Sequence, residues 1–151
     1  MSKYKGKRVL IVGFGISGVA VAKYMCKQGA KVTVTDLRQR AELNEAVAAC
    51  EGLPLEYDLG KHNSKTFTMA ELIVVSPGVP LNIKPLDEAR ELNIPITNEI
   101  ELAASGLKEP LIGITGTNGK TTTTILVGEM FKAAQRAPYV GGNVGKPLLD
   151  Y

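Results

Sequence analysis

Apolar residues fall along this chain in short unbroken runs separated by amphipathic stretches, and the two kinds of segment alternate. Val9-Leu10-Ile11-Val12 is continuous apolar sequence, the mark of a strand covered on both faces. Residues 17–28 follow with Val19, Ala22, Met25 and Cys26 on one helical face, and Gly29 marks the stop. Val32-Thr33-Val34-Thr35 reads as a second strand, residues 39–50 as a helix and residues 53–57 as a short strand. Leu72-Ile73-Val74-Val75 is another buried run, closed by Ser76-Pro77-Gly78. Residues 86–92 read as helix, and Ile94-Pro95-Ile96 as a short strand that Pro95 places near a sheet edge. The order β-α-β-α-β-β-α-β predicts an α/β fold, a Rossmann-like doubly wound parallel sheet.

This first unit is expected to close near Asn98, giving domains over 1–98 and 99–151. A short helix is expected over 99–104, a strand over 111–115 and a helix from residue 119 or 120 to about 134. Tyr139-Val140 is expected to begin one more strand. The chain stops at Leu148-Leu149-Asp150-Tyr151, apolar sequence with no stop signal, so the N-terminal part of a longer protein is expected.

Composition removes several classes of function. The chain has 151 residues, 44% hydrophobic and 22% charged, with a net charge of +3 and scattered cations, so no nucleic-acid face is expected. Aromatic residues are 5% of the chain, too few for a base-stacking surface. No run reaches membrane length and no signal peptide precedes Val9, so a cytoplasmic protein without a membrane partner is expected, as a monomer. Cys26 and Cys50 lack metal-ligand spacing and read as reduced core thiols.

Two glycine-rich segments carry the chemistry. Gly13-Phe14-Gly15-Ile16-Ser17-Gly18 fits G-x-G-x-x-G between a strand and a helix. Gly13 allows the tight turn, Gly15 a close backbone approach and Gly18 helix–strand packing, with a diphosphate placed near the N–H groups of Ile16 and Ser17. Asp36 ends the second strand, where an acidic residue commonly meets a ribose or base edge. Arg38 could grip a base carbonyl or a phosphate, or be a solvated surface arginine. Ser76-Pro77-Gly78 lies on the ligand edge of such a sheet, or is a plain turn. His62, the one histidine, reads as part of a solvated loop.

The second segment is Gly113-Ile114-Thr115-Gly116-Thr117-Asn118-Gly119-Lys120-Thr121-Thr122. Its glycines let backbone N–H groups curl around phosphates, Lys120 reaches a triphosphate and the Thr121 hydroxyl suits Mg²⁺. A strict P-loop would need Gly where Ile114 stands. Thr123 and Thr124 read as ordinary helix, and Gly141-Gly142-Asn143-Val144-Gly145 as either a ligand loop or a bland one. On the first segment alone the chain could be an NAD(P)-dependent oxidoreductase domain, and on either segment a non-catalytic nucleotide-binding module.

The Thr115–Thr122 string resembles the ATP loop of the Mur ligase family, ATP-dependent amide ligases of peptidoglycan precursor synthesis. Folylpolyglutamate synthases and cyanophycin synthetases carry related loops. Taken with Gly13–Gly18, Asp36-Leu37-Arg38, Ser76-Pro77-Gly78, residues 98–102 and residues 141–145, the whole chain resembles the D-glutamate-adding members. The resemblance implies that the first domain binds the UDP of UDP-N-acetylmuramoyl-L-alanine, with D-glutamate as second substrate. It places the diphosphate at Gly15, Ile16 and Ser17, and uracil about Asp36, Leu37 and Arg38. Gly78 then approaches the diphosphate or sugar, and Asn143 the muramoyl group. Leu37 departs from the small hydroxylated residue frequent there. Gly116, Thr117, Asn118, Gly119, Lys120, Thr121 and Thr122 would bind ATP, with Lys120 catalytic and Thr121 on Mg²⁺. The implied reaction is phosphoryl transfer to the substrate carboxylate, giving an acyl phosphate that D-glutamate attacks. The family's remaining Mg²⁺ ligands fall past Tyr151, so the chain alone is expected to be inactive.

Overall fold

The computed structural model describes residues 2–142 and 146–151. The strands are β1 (Arg8–Val12), β2 (Lys31–Asp36), β3 (Leu55–Leu59), β4 (Leu72–Val75) and β5 (Ile96–Asn98). They form one parallel five-stranded sheet in the order β3-β2-β1-β4-β5. The helices are α1 (Ile16–Lys27), α2 (Asn44–Ala49), α3 (Ser64–Thr68), α4 (Lys84–Glu91), α5 (Glu99–Ala104) and α6 (Lys120–Ala133).

Alternation within β1 explains the two layers. Val9 and Ile11 join Val32, Val34, Phe14 and Met25 in one buried cluster. Leu10 and Val12 join Ile73, Val75, Phe67 and Leu86 in the other. Successive strand side chains point to opposite faces, so an unbroken apolar run is what a sheet covered on both sides requires. Each such burial contributes about 1.5–3 kcal/mol. Gly29 ends α1 as expected: it is left-handed, and the N–H of Ala30 returns to the carbonyl of Met25. Pro95 precedes the edge strand β5, where a missing donor costs no ladder bond.

Four expectations are corrected. Residues 39–50 are not one helix but a 3₁₀ turn, Arg40–Leu43, followed by α2. Between β3 and β4, where no helix is expected from the sequence, α3 buries Phe67. Residues 111–115 do not form a strand, and Leu111 and Ile112 are exposed. A strand needs a neighbour for its backbone groups, and none pairs with this run among the described residues. Tyr139-Val140 likewise begins no strand: the pairing there is one isolated parallel bridge, Gly141 with Lys146.

Past β5 the chain stays tied to the sheet domain. Asn98 caps α5 by accepting the N–H of Glu101 at 2.9 Å, and Leu102 enters the β1/β2 cluster. Glu99, 2% exposed, accepts the N–H of Leu149 at 2.7 Å. That bond holds the last 3₁₀ turn, Leu148–Asp150, against α5 and buries Leu148. No helix among the described residues is long and apolar enough to cross a membrane. Cys26 and Cys50 are both free thiols, and burial pushes each up.

Candidate functional site: a glycine turn at the strand-order switch

In the sheet, β1 is flanked by β2 on one side and β4 on the other, so the loops leaving β1 and β4 part at the crevice where doubly wound sheets take ligands. The β1–α1 turn is fastened from three directions. The N–H of Gly13 donates to the carbonyl of Thr35 at 2.8 Å. The Ser76 hydroxyl, at the end of β4, donates to the carbonyl of Gly13 at 2.9 Å. Phe14 turns inward, 1% exposed, and meets Tyr57 edge-on at 5.8 Å.

Two of the three glycines are dictated by space. Gly13 has φ +91°, and a Cβ there would stand 2.8 Å from Val79 Cγ2. A Cβ on Gly18 would lie 2.1 Å from the carbonyl oxygen of Gly13, so no other residue lets α1 start so close to β1. Gly15 differs: a Cβ would meet nothing within 4 Å. Its surface is open, Ile16 beside it is 75% exposed, and the N–H groups of Ile16 and Ser17 carry no hydrogen bond among the described residues. Free N–H groups at the start of a twelve-residue helix form a ready anion cradle.

Asp36 closes the turn from β2. Its Oδ2 accepts the N–H of Phe14 at 2.7 Å and Arg38 Nη2 at 2.8 Å. Its Oδ1 accepts the N–H of Arg38 at 2.9 Å and Arg38 Nε at 3.0 Å. Burial alone would push the carboxyl up. The Arg38 guanidinium and the backbone donors of Phe14 and Arg38 outweigh it and hold the pKa at about 2. Arg38 is therefore not a freely solvated arginine, although half its side chain is exposed. Leu37 between them is exposed.

A cleft of about 540 Å³ opens beside the turn, lined by Gly15, Ile16, Lys23, Arg38 and Glu42 among others, with Asp150 on its rim. Gly78, across the crevice after β4, is exposed and would accept a Cβ without contact. Asn143 lies outside the described residues.

The second loop is placed differently. Residues 113–119 are irregular and exposed, apart from the half-buried Ile114, and lead into α6. The Lys120 ammonium folds back onto the carbonyls of its own loop, at Gly116 and, at 3.2 Å, Thr117. Thr121 and Thr122 are exposed in the first helical turn. Thr124 donates to the Lys120 carbonyl at 2.8 Å, the ordinary helical role expected for it. Thus Gly15, Ile16 and Arg38 line one cleft, Ser17 and Asp36 adjoin them in chain and by hydrogen bond, Gly78 follows β4 outside that lining, and Gly116 to Thr122 gather about a separate helix start.

Sequence reading misses the parts that fasten the turn. Phe14 looks like filler in the motif, Thr35 like ordinary strand, and Ser76 is read as part of a ligand edge or plain turn and not as a fastener; only the apolar Phe14 between two glycines signals an inward anchor. His62 is half-buried, not solvated: its Nδ1 lies 3.0 Å from the Thr35 hydroxyl and its ring meets Phe67 edge-on. Burial holds its pKa below the usual imidazole range, although Asp36 and Asp58 pull the other way. No local pattern points to this, because Phe67 belongs to the unforeseen helix α3.

The sheet, its switch point and the open glycine turn define a domain of Rossmann type. The chain belongs to the family described as the Mur ligase MurD-like N-terminal domain, whose profile matches residues 7–98. It is similar to the UDP-N-acetylmuramoylalanine–D-glutamate ligase of Geotalea daltonii, 51% identical over 97% of this chain and 32% of the relative. It is also similar to the ligase of the same name in Bdellovibrio bacteriovorus, 45% identical over 99% of this chain and 32% of that one. The chain spans about a third of the length of the curated relatives it matches. Among solved structures, a pseudomurein peptide ligase type C from Methanothermus fervidus superposes with a TM-score of 0.54 at 27% identity, covering 85% of this chain and 26% of that one. The UDP-N-acetylmuramate-alanine ligase MurC of Thermotoga maritima gives 0.54 at 26% identity, covering 87% and 30%.

Proposed function

We propose that this chain is the nucleotide-handling portion of an ATP-dependent ligase that joins D-glutamate to UDP-N-acetylmuramoyl-L-alanine in the bacterial cytoplasm. The observation that carries this reading is the 51% identity to a ligase of that name over 97% of this chain. In this reading residues 1–98 hold the UDP-sugar and residues 99–151 open the ATP-binding domain. The free N–H groups of Ile16 and Ser17, beside the open face of Gly15, receive the diphosphate. The corner Asp36-Leu37-Arg38 receives the uridine end, and Gly78 approaches from β4. Asn143 serves the muramoyl group.

The donor set at the second loop fits a polyphosphate. The N–H groups of Lys120, Thr121 and Thr122 carry no hydrogen bond among the described residues, and they open a fourteen-residue helix. Gly116, Thr117, Asn118 and Gly119 bring backbone to the same place. The Lys120 ammonium is exposed and, among the described residues, is held by loop carbonyls, which it can exchange for phosphate oxygens. Bound ATP with Mg²⁺ at the Thr121 hydroxyl would supply the phosphoryl group that activates the substrate carboxylate, and the metal would neutralise its charge. Lys120 would draw negative charge toward the helix start, where the N–H groups already favour it.

Isothermal titration of the chain with UDP and with NADH tests the first site. Binding of UDP, with NADH indifferent, is expected. Binding of NADH with no response to UDP would replace this reading by a dinucleotide oxidoreductase domain.

A further inference from the structure

The first 35 residues hold seven cations, from Lys3 to Lys31, and no carboxylate. Along the chain these charges are spread over a loop, a strand, a helix and a second strand. The fold gathers six of them at one end, because the strands of a parallel sheet all start on the same side and each helix returns the chain there. Arg8 opens β1 and stands in register with Lys31, which opens β2. The N–H of Lys31 donates to the carbonyl of Lys7 at 2.8 Å, and the N–H of Gly6 to the carbonyl of Gly29 at 2.7 Å. The loop carrying Lys3, Lys5 and Lys7 therefore lies against the end of α1, whose last residue is Lys27. All six residues are exposed. Among the described residues Arg8 pairs with Glu71 at 3.5 Å, and the five lysines are in no ion pair.

A concentration of lysine at one end attracts an extended anionic partner, and the details select among such partners. Nucleic acid is read by guanidinium forks and stacked aromatic rings. Here Arg8 is committed to the Met69 carbonyl, from Nε at 2.7 Å, and to Glu71, while Tyr4 is 8% exposed. A groove of about 390 Å³ reaches this end between Arg8, Lys31 and Lys65, but Glu56 and Asp58 also line it, so a phosphate backbone entering would meet carboxylates. A protein partner calls for an apolar core in the patch, and lysine is depleted from such cores. Met69 is a single exposed apolar side chain beside Arg8. A layer of anionic headgroups needs neither groove nor ring: compact, hydrated ammonium groups on flexible stems suffice.

We propose that the amino end of the sheet is a docking surface for an anionic lipid bilayer, with these lysines over the headgroups. The glycine turn lies at the carboxyl end of the same strands, so the docked chain keeps its crevice toward solvent. This surface departs from the expectation of a chain without a membrane partner, which rests on cations that look scattered in sequence. It stands independently of the nucleotide reading.

The test is sedimentation of the chain with vesicles of equal parts phosphatidylglycerol and phosphatidylcholine, and with phosphatidylcholine alone. Binding to the first and not the second is expected, and it is lost between about 0.1 M and 1 M salt, as the screening length shrinks from about 10 Å to about 3 Å. Each lysine near such a surface strengthens binding about fivefold, so Lys7→Gln with Lys31→Gln is expected to weaken it about 25-fold. Lys61→Gln with Lys84→Gln removes the same charge past the carboxyl ends of β3 and β4, and is expected to keep binding within about twofold. Thermal unfolding checks that each variant is folded, and the single Lys5→Gln, expected to weaken binding about fivefold, serves if the first pair is not. Failure to bind the anionic vesicles overturns the proposal, as does equal binding to the neutral ones. Equal losses in the two pairs overturn it by showing that overall charge, not this end, is responsible. A DNA duplex that binds more tightly than the vesicles assigns the surface to nucleic acid and overturns it too. None of these outcomes bears on UDP binding, whose titration tests the nucleotide reading separately.

Discussion

The two glycine segments of this chain look alike as sequence and are built in opposite ways. The turn at residues 13–18 is assembled by the sheet: Thr35 and Asp36 from β2 and Ser76 from β4 hold it, and its first and last glycines leave no room for a methyl group. Among the described residues, the side-chain bonds to the loop at residues 113–119 come from Lys120 at its own end. Lys120 bonds to carbonyls three and four residues back, and a Cβ on Gly113 would meet nothing within 4 Å. A glycine imposed by packing and a glycine left free for a ligand are thus both present, and only the three-dimensional surroundings tell them apart.

Substitution of glycine breaks this comparison most directly. Gly18→Ala is expected to destabilise the chain by about 3 kcal/mol, since its methyl group collides with the Gly13 carbonyl. Thermal unfolding measures it, and a loss under 1 kcal/mol would show that the turn yields. Gly113→Ala is the control, with an expected change within about 0.5 kcal/mol.

Acid titration sharpens the contrast next. The Asp36 carboxyl is held at about 2 in the folded chain, below the ordinary carboxylate range near 4 of the unfolded one. Its stabilisation is therefore complete above about pH 4 and is lost as pH falls toward 2, on the order of 2 kcal/mol across that window. Denaturant titrations at stepped pH measure the slope, and Asp36→Asn should flatten it.

Ser76→Ala is expected to cost about 1 kcal/mol, the loss of the bond to the Gly13 carbonyl, whereas Lys120→Ala should leave stability unchanged within about 0.5 kcal/mol. Equal effects in the two variants would erase the distinction between the loops. The smallest effect concerns His62. Its pKa is lowered by burial, so the folded chain prefers the neutral ring. Stability from this group is complete above the unfolded imidazole value of about 6.5 and declines as pH falls below it. A His62→Gln variant that removes the slope between pH 7 and 5 would assign it.

Much of this was legible in the residues. The strands β1, β2 and β4 announce themselves as apolar runs because a doubly covered strand has no polar face to show, and Gly29 marks the end of α1 because few residues tolerate its backbone angle. The first glycine motif also stands where its spacing puts it, since the turn is local and α1 begins within it. Leu111-Ile112 carries the same kind of apolar signal and makes no strand, because a strand is a relation to a neighbour and no described residue supplies one. Helix α3 was hidden by its shortness, and with it the burial of Phe67 against His62.

Sequence by itself therefore determined the layered α/β order, the start of each long element and the presence of two phosphate-suited glycine segments, all properties written in local periodicity and backbone freedom. Tertiary structure alone decided which side chains fasten the first turn. Asp36 lies 22 positions from Phe14 and Ser76 lies 63 from Gly13, and only the parallel register of β1 with β2 and β4 brings those groups within hydrogen-bonding distance.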